Sequence, residues 1–547
     1  MINFRKMGGL AGMLPLAALT ASGADNKPSK QPNVLLILAD DMGYSDIGCY
    51  GGEMTTPNLD SLAMSGIRFT QFYNTARSCP SRASLMTGLH PAQTGIGHMT
   101  HKIYAGSNYQ GYLNDECVTL AEVAASAGYS TLMSGKWHMG TEEEAWPYHR
   151  GFQQVYAIHN WVDSYWRVLE GCEIYEQDKV VQPAVGKEVI LKRDNGEDFY
   201  TTDVFTDKAI EQIGRSLREN PDRPFFSYLA FNAPHWPLEA PDSVIAKHLG
   251  EYDKGWKDLI KKKTARMKKM GIIEKDTPIG WQQMRNWDNM SEDDRENSAF
   301  RRAIYAAQIE VMDQNIGRVI NFLKEQGVYD DTIIIFLSDN GCSAEPEKGD
   351  MGYCWKKNRK SNYEEWKRNS ARVGASQGKM WAIASNAPFR WYKKFVHEGG
   401  ISTPLIISYP VALKNPGSLV RTPSYLPDVM ATFVDFTGAE YPHDGRIHEC
   451  TGRSLMPAVY GRKLSEHKVM CWEHEGHGAI RMGDWKLVTT DIMDDASWEL
   501  YDLRDGRSEM NNLAAEQPDR VWKMLAEWKK WSVETGVLPR EELPKEK

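Results

Sequence analysis

The sequence predicts an α/β fold: a large, mostly parallel β-sheet covered by helices on both faces, followed by a smaller domain. Three observations lead there. First, Val34–Leu38 and Thr332–Leu337 are short apolar runs of strand length, the pattern of strands buried on both faces, and 129–133, 225–231 and 404–408 read as further strands. Second, stretches of helical periodicity lie between them. The clearest is 303–323, with Ile309, Met312, Ile316, Val319, Ile320 and Leu323 on one side. Third, the composition changes after Gly438 and the strands shorten: 469–472, 478–481 and 485–489 predict an antiparallel sheet, and 518–531 a packing helix with Pro518 in its first turn.

Composition sets the limits. The 547 residues are enough for a large core and two domains. Hydrophobic content of 41% and charged content of 25% are ordinary for a soluble globular protein, and a net charge of -8 argues against nucleic-acid binding. The run Lys261-Lys262-Lys263 reads as a solvated helix face, within a charged surface insertion spanning 242–297. Residues 1–24 read as a secretory signal: Arg5 and Lys6, an apolar stretch from Gly8 to Thr20, then Ser22-Gly23-Ala24. No later stretch is apolar for long enough to span a bilayer. Of eight cysteines, Cys342 with Cys354 and Cys450 with Cys471 are candidate pairs. None has zinc spacing.

Chemistry-bearing residues collect where strands end, which in α/β sheets is where ligands bind. Val34–Leu38 runs into Asp40-Asp41, two carboxylates that repel unless a cation lies between them. Oxygen-only donors favour a hard ion, calcium or magnesium. Thr332–Leu337 mirrors this with Asp339-Asn340, completing a cage of four oxygen donors. The strand at 129–133 leads to Lys136 and His138, two apart and so on one side of extended backbone. The strand at 225–231 leads to His235, mounted between Pro234 and Pro237. The long polar, aromatic-rich stretch 342–386 has the size of a substrate lid or wall. Ser78-Cys79-Pro80-Ser81-Arg82 begins a helix that Gly88 closes. Ser78 then stands at the positive end of the dipole, with the Arg82 fork one turn on. That arrangement suits an oxyanion, and equally a capped helix with no chemistry.

The stretch from Ser78 to Arg82, followed by Thr87-Gly88, resembles the signature of the type I sulfatases, (Cys or Ser)-x-Pro-x-Arg. Further strings resemble that family: Gly135-Lys136-Trp137-His138, Pro234-His235, and Lys393 followed by Glu398-Gly399-Gly400, with Lys394 the alternative lysine. The resemblance runs from about Asn33 to about Leu513. It implies an alkaline-phosphatase-like sulfatase fold, with a catalytic domain over 25–440 and a small C-terminal α+β domain over 441–547. It implies oxidation of Ser78 to formylglycine by a serine-type maturase. It also implies one calcium ion held by Asp40, Asp41, residue 78, Asp339 and Asn340. Arg82, Lys136 and Lys393 would hold the sulfate, His235 would protonate the leaving alcohol, and His138 would take a proton from the modified residue.

The string Trp472-Glu473-His474-Glu475-Gly476 resembles the arylsulfatase-related group common in gut Bacteroides. That points to a sulfated carbohydrate substrate, such as 3-O-sulfated galactose on mucin-like chains, and to the bacterial periplasm. His98, His159, Asn160, Trp161, Trp236, His474 and Glu475 are candidates for the pocket rim. Two rival readings stand beside it: a phosphate-ester or phosphonate hydrolase on the same fold, and a non-catalytic protein that captures sulfated glycans.

Overall fold

The computed structural model describes residues 31–538 except 105, 187–188, 194, 281–283 and 346–374. The expected signal at 1–24 and much of the expected lid lie outside the described residues. The dominant feature is an eleven-stranded sheet. Its strands are β1 (Asn33–Ala39), β2 (Ile67–Tyr73), β3 (Ser130–Lys136), β4 (Gln154–Ile158), β5 (Ile174–Glu176), β6 (Lys179–Gln182), β7 (Phe225–Ala230), β8 (Thr332–Ser338), β9 (Ser402–Ser408), β10 (Leu419–Val420) and β11 (Ser424–Tyr425). The order is β10-β2-β9-β8-β1-β7-β3-β4-β5-β6, with β11 also on β2.

Strand direction decides what meets at the sheet edge. β8, β1, β7, β3 and β4 are parallel neighbours, so their carboxyl ends point the same way. β9 is antiparallel to both β8 and β2, so β2 ends on that same edge and β9 begins there. The segment after β2, which carries Ser78, and the segment before β9, which carries Lys393, therefore arrive beside the ends of β1, β8, β7 and β3. Side chains of β1 alternate between two cores: Leu35 and Ile37 pack with Leu59, Ile304 and Ile316, while Leu36 and Leu38 pack with Leu85, Leu120 and Val429. Both faces of the sheet are covered, which is why its strands read as continuous apolar runs.

The small sheet is antiparallel: β12 (Met470–His474), β13 (His477–Met482), β14 (Trp485–Thr489) and β15 (Glu499–Asp502). The helix Pro518–Thr535 covers one face through Met524, Leu525 and Trp528. The other face, with Met470, Trp472, Ala479 and Val488, packs on Tyr73, Ala76, Val396 and Ile401, the segments flanking the Ser78 and Lys393 stretches. A buried charge cluster joins the two sheets. The Lys486 ammonium donates to Glu398 at 2.9 Å and lies 2.8 Å from Glu509. Arg507 and Tyr73 donate to the second Glu398 oxygen, each at 3.1 Å. Burial pushes the Glu398 carboxyl up, but Lys486 and Arg507 outweigh it and hold it at about 2. Glu509 is raised to about 7, chiefly by burial.

Several expectations change. The stretch 242–297 is not a surface insertion: Trp256, Ile260, Met267 and Trp287 belong to the main core. Within the lysine run, Lys261 and Lys262 are exposed, but Lys263 is fully buried against Asp46 and Glu53. A charge run cannot be read as one face, because one helix turn carries it across both. Lys136 closes β3, whereas His138 takes a left-handed backbone (φ 58), so the pair does not share a side by simple strand alternation. Residues 441–464 pack in the large core through Tyr441, Leu455, Met456 and Val459, well before the small sheet begins at Met470. Cys450 and Cys471 are free thiols rather than a pair, and so is Cys342, whose candidate partner Cys354 lies outside the described residues. Among the described residues, no helix is long and apolar enough to cross a membrane.

Lys486→Met leaves Glu398 and Glu509 facing each other without their shared cation. Breaking a buried pair in this way costs about 3–5 kcal/mol. Thermal or urea unfolding should show a loss of that order, while Lys261→Met, on the exposed side of its helix, should change stability by less than about 0.5 kcal/mol.

Candidate active site

The site grows out of the register between β1 and β8. Ala39 pairs with Ser338, so Asp40 and Asp339 follow as neighbours, and Asp41 and Asn340 come next. All four are buried. The Asp41 backbone N–H donates to Asp339 at 3.1 Å, and the Asn340 amide to Asp41 at 2.6 Å. Left-handed backbone at Asp41 (φ 65) turns the chain there; a short polar side chain tolerates that conformation.

The helix Ser78–Thr87 delivers the next groups. Arg77 has extended backbone at its start, and Gly88 ends it with left-handed backbone (φ 74), donating to Ser84. Ser78 is thus at the first helical position. Its hydroxyl lies 3.1 Å from Asp40 and also donates to Asp339. One turn on, the Arg82 guanidinium donates to Ser78 Oγ (3.3 Å), to Asp339 (3.1 Å) and to the Lys136 carbonyl (2.7 Å).

Three cations from three elements surround the carboxylates: Arg82, Lys136 on Asp40 at 2.5 Å, and Lys393 on Asp41 at 2.9 Å. Lys393 rather than Lys394 is at the cage, for Lys394 turns away on left-handed backbone (φ 89) and pairs with Glu475. The His235 ring lies 3.4 Å from Asp41 and 3.5 Å from Lys393 through Nε2, while Nδ1 faces the Trp236 carbonyl at 2.5 Å. His138 is buried, and neither ring nitrogen has a hydrogen-bond partner among the described residues.

Burial pushes Asp40 up, but Lys136, His235 and Arg82 hold it well below the usual carboxylate range. Asp339 is raised to about 7 by burial and by the Asp40 charge beside it. Burial lowers both histidines. Lys136 and Arg82 push His138 further down, whereas Asp41 and Asp40 partly offset the shift at His235. Burial pulls Lys393 down, and Asp41 and Glu345 more than reverse it.

The residues fit a cation. Asp40, Asp41 and His235 each bring a ligand atom within 4.8 Å of the others. Asn340 Oδ1 is buried without a hydrogen-bond partner among the described residues. A buried acceptor left unpaired beside crowded carboxylates is what an ion-binding site looks like.

A cavity of about 450 Å³ opens onto Ser78, His138, His235 and Lys393. Of the candidate rim residues, Trp161 and Trp236 line it. His98, His159, His474 and Glu475 do not. His159 stacks on Tyr175 (4.1 Å) and meets Trp146 at a tilt (4.5 Å), and its carbonyl holds the His138 N–H. His474 is fully buried, 5.5 Å from the His98 ring, and Glu475 supports Lys394 from behind. Asn160 is also absent from the wall. Sequence reasoning missed Arg77 and Glu345, which line the cavity and pair at 2.7 Å, with Lys393 on the same Glu345 at 3.2 Å. Arg77 adjoins Ser78, and that adjacency was the available signal. Glu345 carried none.

A family model described as Sulfatase matches residues 32–439, and one described as N-sulphoglucosamine sulphohydrolase, C-terminal, matches 388–530. The chain belongs to the sulfatase family. It is 34% identical over 438 residues to the arylsulfatase of Klebsiella aerogenes, covering 78% of this chain and 90% of that one. It is 27% identical over 580 residues to the N-acetylglucosamine-6-O-sulfatase of Bacteroides thetaiotaomicron, covering 92% and 86%. The solved structure of Ps i-CgsB in complex with k-i-k-neocarrahexaose shares its fold, with a TM-score of 0.64, 24% identity and coverage of 92% and 93%. The chain is thus a sulfuric ester hydrolase with the alkaline-phosphatase-like sulfatase fold.

The crowded carboxylates make this sulfatase's stability pH-dependent when no ion is bound. Asp339 is raised to about 7, so between the ordinary carboxylate range and that value the folded chain keeps a proton that the unfolded chain releases. Stability of the ion-free protein should therefore fall as pH rises through that window. Unfolding measured with chelator should show the slope, and Asp339→Asn should flatten it.

Proposed function

We propose that the protein removes a sulfate ester from a carbohydrate, using formylglycine at position 78 and one calcium ion. The observation that carries this reading is the convergence of Ser78 with three carboxylates, Asn340, three cations and two histidines at one sheet edge. Oxygen donors from Asp40, Asp41, Asp339 and Asn340 would hold the ion, and that donor set favours a hard cation. When bound, calcium would supply positive charge for the sulfate oxygens and ease deprotonation of the nucleophile. Hydrated formylglycine supplies one oxygen for attack on sulfur and a second whose proton must leave to expel sulfate, a release that a serine cannot make.

The chain's own residues do the rest. Arg82 and Lys136 neutralise the acids around residue 78. Lys393 offers charge to the transferring group from the opposite side. His235 presents Nε2 toward Lys393, with Nδ1 tied to the Trp236 carbonyl, so a proton held between them can go to the departing alcohol. His138, kept neutral by burial and its cationic neighbours, accepts the proton from residue 78. The aromatic faces of Trp161 and Trp236 suit a sugar ring. The relative named N-acetylglucosamine-6-O-sulfatase supports a carbohydrate substrate. Within that class we favour 3-O-sulfated galactose-type sugars of host glycans. We further propose export to a bacterial periplasm and modification by a serine-type maturase.

Intact-mass analysis of active protein should show a loss of two hydrogens at Ser78. In a host that converts only cysteine-type motifs, wild type should be poorly active and Ser78→Cys should gain activity. Full activity of unmodified Ser78 protein would overturn the mechanism. Sulfate and phosphate esters of one sugar, assayed side by side, should favour the sulfate. A panel of defined sulfated monosaccharides should single out galactose 3-sulfate, and preference for another sugar would correct the substrate alone.

A further inference from the structure

The turn that carries His235 is gripped by a buried side chain from the segment that follows the pocket wall. Tyr165 is buried, and its hydroxyl lies 2.9 Å from the Asn232 carbonyl and 2.8 Å from the His235 carbonyl. These two carbonyls bracket the turn, whose own closure is the His235 N–H to the Asn232 carbonyl at 3.0 Å. One phenol, sharing its single proton between two acceptors, therefore bridges both ends of the turn. Gln308 touches the His235 carbonyl only at 3.5 Å and donates mainly to Pro237 at 3.2 Å, so it does not duplicate the Tyr165 contact.

Tyr165 is itself anchored. Its backbone N–H donates to Glu239 at 2.6 Å, and the neighbouring Ser164 hydroxyl donates to the same carboxylate oxygen at 2.9 Å. Its ring stacks on Tyr200 with centroids 5.3 Å apart. Just upstream, Trp161, Val162 and Asp163 form part of the cavity wall. The wall that meets the substrate and the turn that carries the imidazole are thereby one unit.

We propose that Tyr165 is a positioning residue for His235, setting where its Nε2 stands against the leaving oxygen. The proposal rests on the reading of His235 as proton donor. A ring-preserving change, Tyr165→Phe, keeps the stacking and the volume but removes the bridge between the two carbonyls, leaving only the turn's own closure, the His235 N–H to the Asn232 carbonyl. The turn then loosens, and the donor loses its aim while the nucleophile, the cage and the cations stay in place.

The test varies the leaving group. A nitrophenolate leaves without a proton, and a more basic phenol needs one. Wild type, Tyr165→Phe, His235→Ala and Tyr200→Phe are compared on 4-nitrophenyl sulfate and 4-methylphenyl sulfate, each with calcium and each checked by thermal melting. Tyr165→Phe should stay within about twofold of wild type on the nitrophenyl ester and lose about tenfold in kcat on the methylphenyl ester, a fraction of the ~10²–10⁴ that general acid catalysis supplies. His235→Ala should show the same split, larger. Tyr200→Phe, whose hydroxyl binds the Glu239 carbonyl and not the turn, should show none. Equal losses on both esters, or none, in Tyr165→Phe would overturn the proposal. So would the same split in Tyr200→Phe. No split in His235→Ala would overturn the proton-donor reading beneath it, and this inference with it.

Discussion

Three carboxylates held out of water at the tips of two neighbouring strands are the constraint on which the rest depends. The β1–β8 register makes Asp40 and Asp339 neighbours, with Asp41 beside them. At an effective dielectric of about 20, two like charges 4 Å apart repel by about 4 kcal/mol. The fold meets this by bringing one cation from each surrounding element. Arg82 comes from the helix after β2, Lys136 from the end of β3, and Lys393 from the approach to β9. Each depends on strand order. Were β9 parallel to β8, the segment before it would lie at the opposite edge, and Lys393 with it.

The small domain belongs to the same electrostatic problem. Glu398, from the Glu-Gly-Gly string before β9, points away from the cage and into the cluster with Lys486 and Arg507. It stands five positions after Lys393. The anchor that fixes the lysine's approach is thus in the second sheet, and that sheet also packs on Ala76 beside Ser78. Gly399 and Gly400 are close-approach positions: a Cβ at either would fall 2.2 Å or less from a carbonyl of the same loop. The string therefore encodes a tight, side-chain-free turn and a latch, and it needs no direct part in chemistry.

Sequence made strand ends legible because apolar runs followed by acids obey a local rule. Asp40, Asp41, Asp339, Asn340, Lys136 and His235 all stand at or just beyond such ends. It also revealed the Ser78 helix, whose start and stop are set by neighbours in the chain. Long-range facts were out of reach. Lys263 reads as solvated until the helix Lys379–Asn386 offers it the Ala384 carbonyl and the Asp46 and Glu53 carboxylates close around it. His159 reads as a pocket residue until the hairpin of β5 and β6 supplies Tyr175 to stack on it. Arg77 and Glu345 become a pair only in three dimensions, 268 positions apart in the chain numbering. Tyr165 looked like any core aromatic, because a phenol bonded to two carbonyls leaves no trace in periodicity.

The two histidines illustrate how one residue type is prepared for opposite tasks by its neighbours. Both are buried, so both lose basicity to desolvation. His138 then faces Lys136 and Arg82, which penalise a second positive charge further. Its left-handed backbone (φ 58) swings it out of the strand line and leaves both ring nitrogens unengaged among the described residues. That suits the acceptor role proposed for it. His235 has the reverse surroundings: Asp41 and Asp40 favour its imidazolium, and its Nδ1 is committed to the Trp236 carbonyl. Only Nε2 is left to exchange a proton, and the Lys393 ammonium stands 3.5 Å from it. An imidazole with one usable nitrogen must be aimed, because rotation of its turn cannot be offset by the other nitrogen. An imidazole with two free nitrogens tolerates that motion. On the proposed reading, that asymmetry accounts for the buried phenol set against two carbonyls of the His235 turn, whereas the His138 backbone N–H is held by the His159 carbonyl.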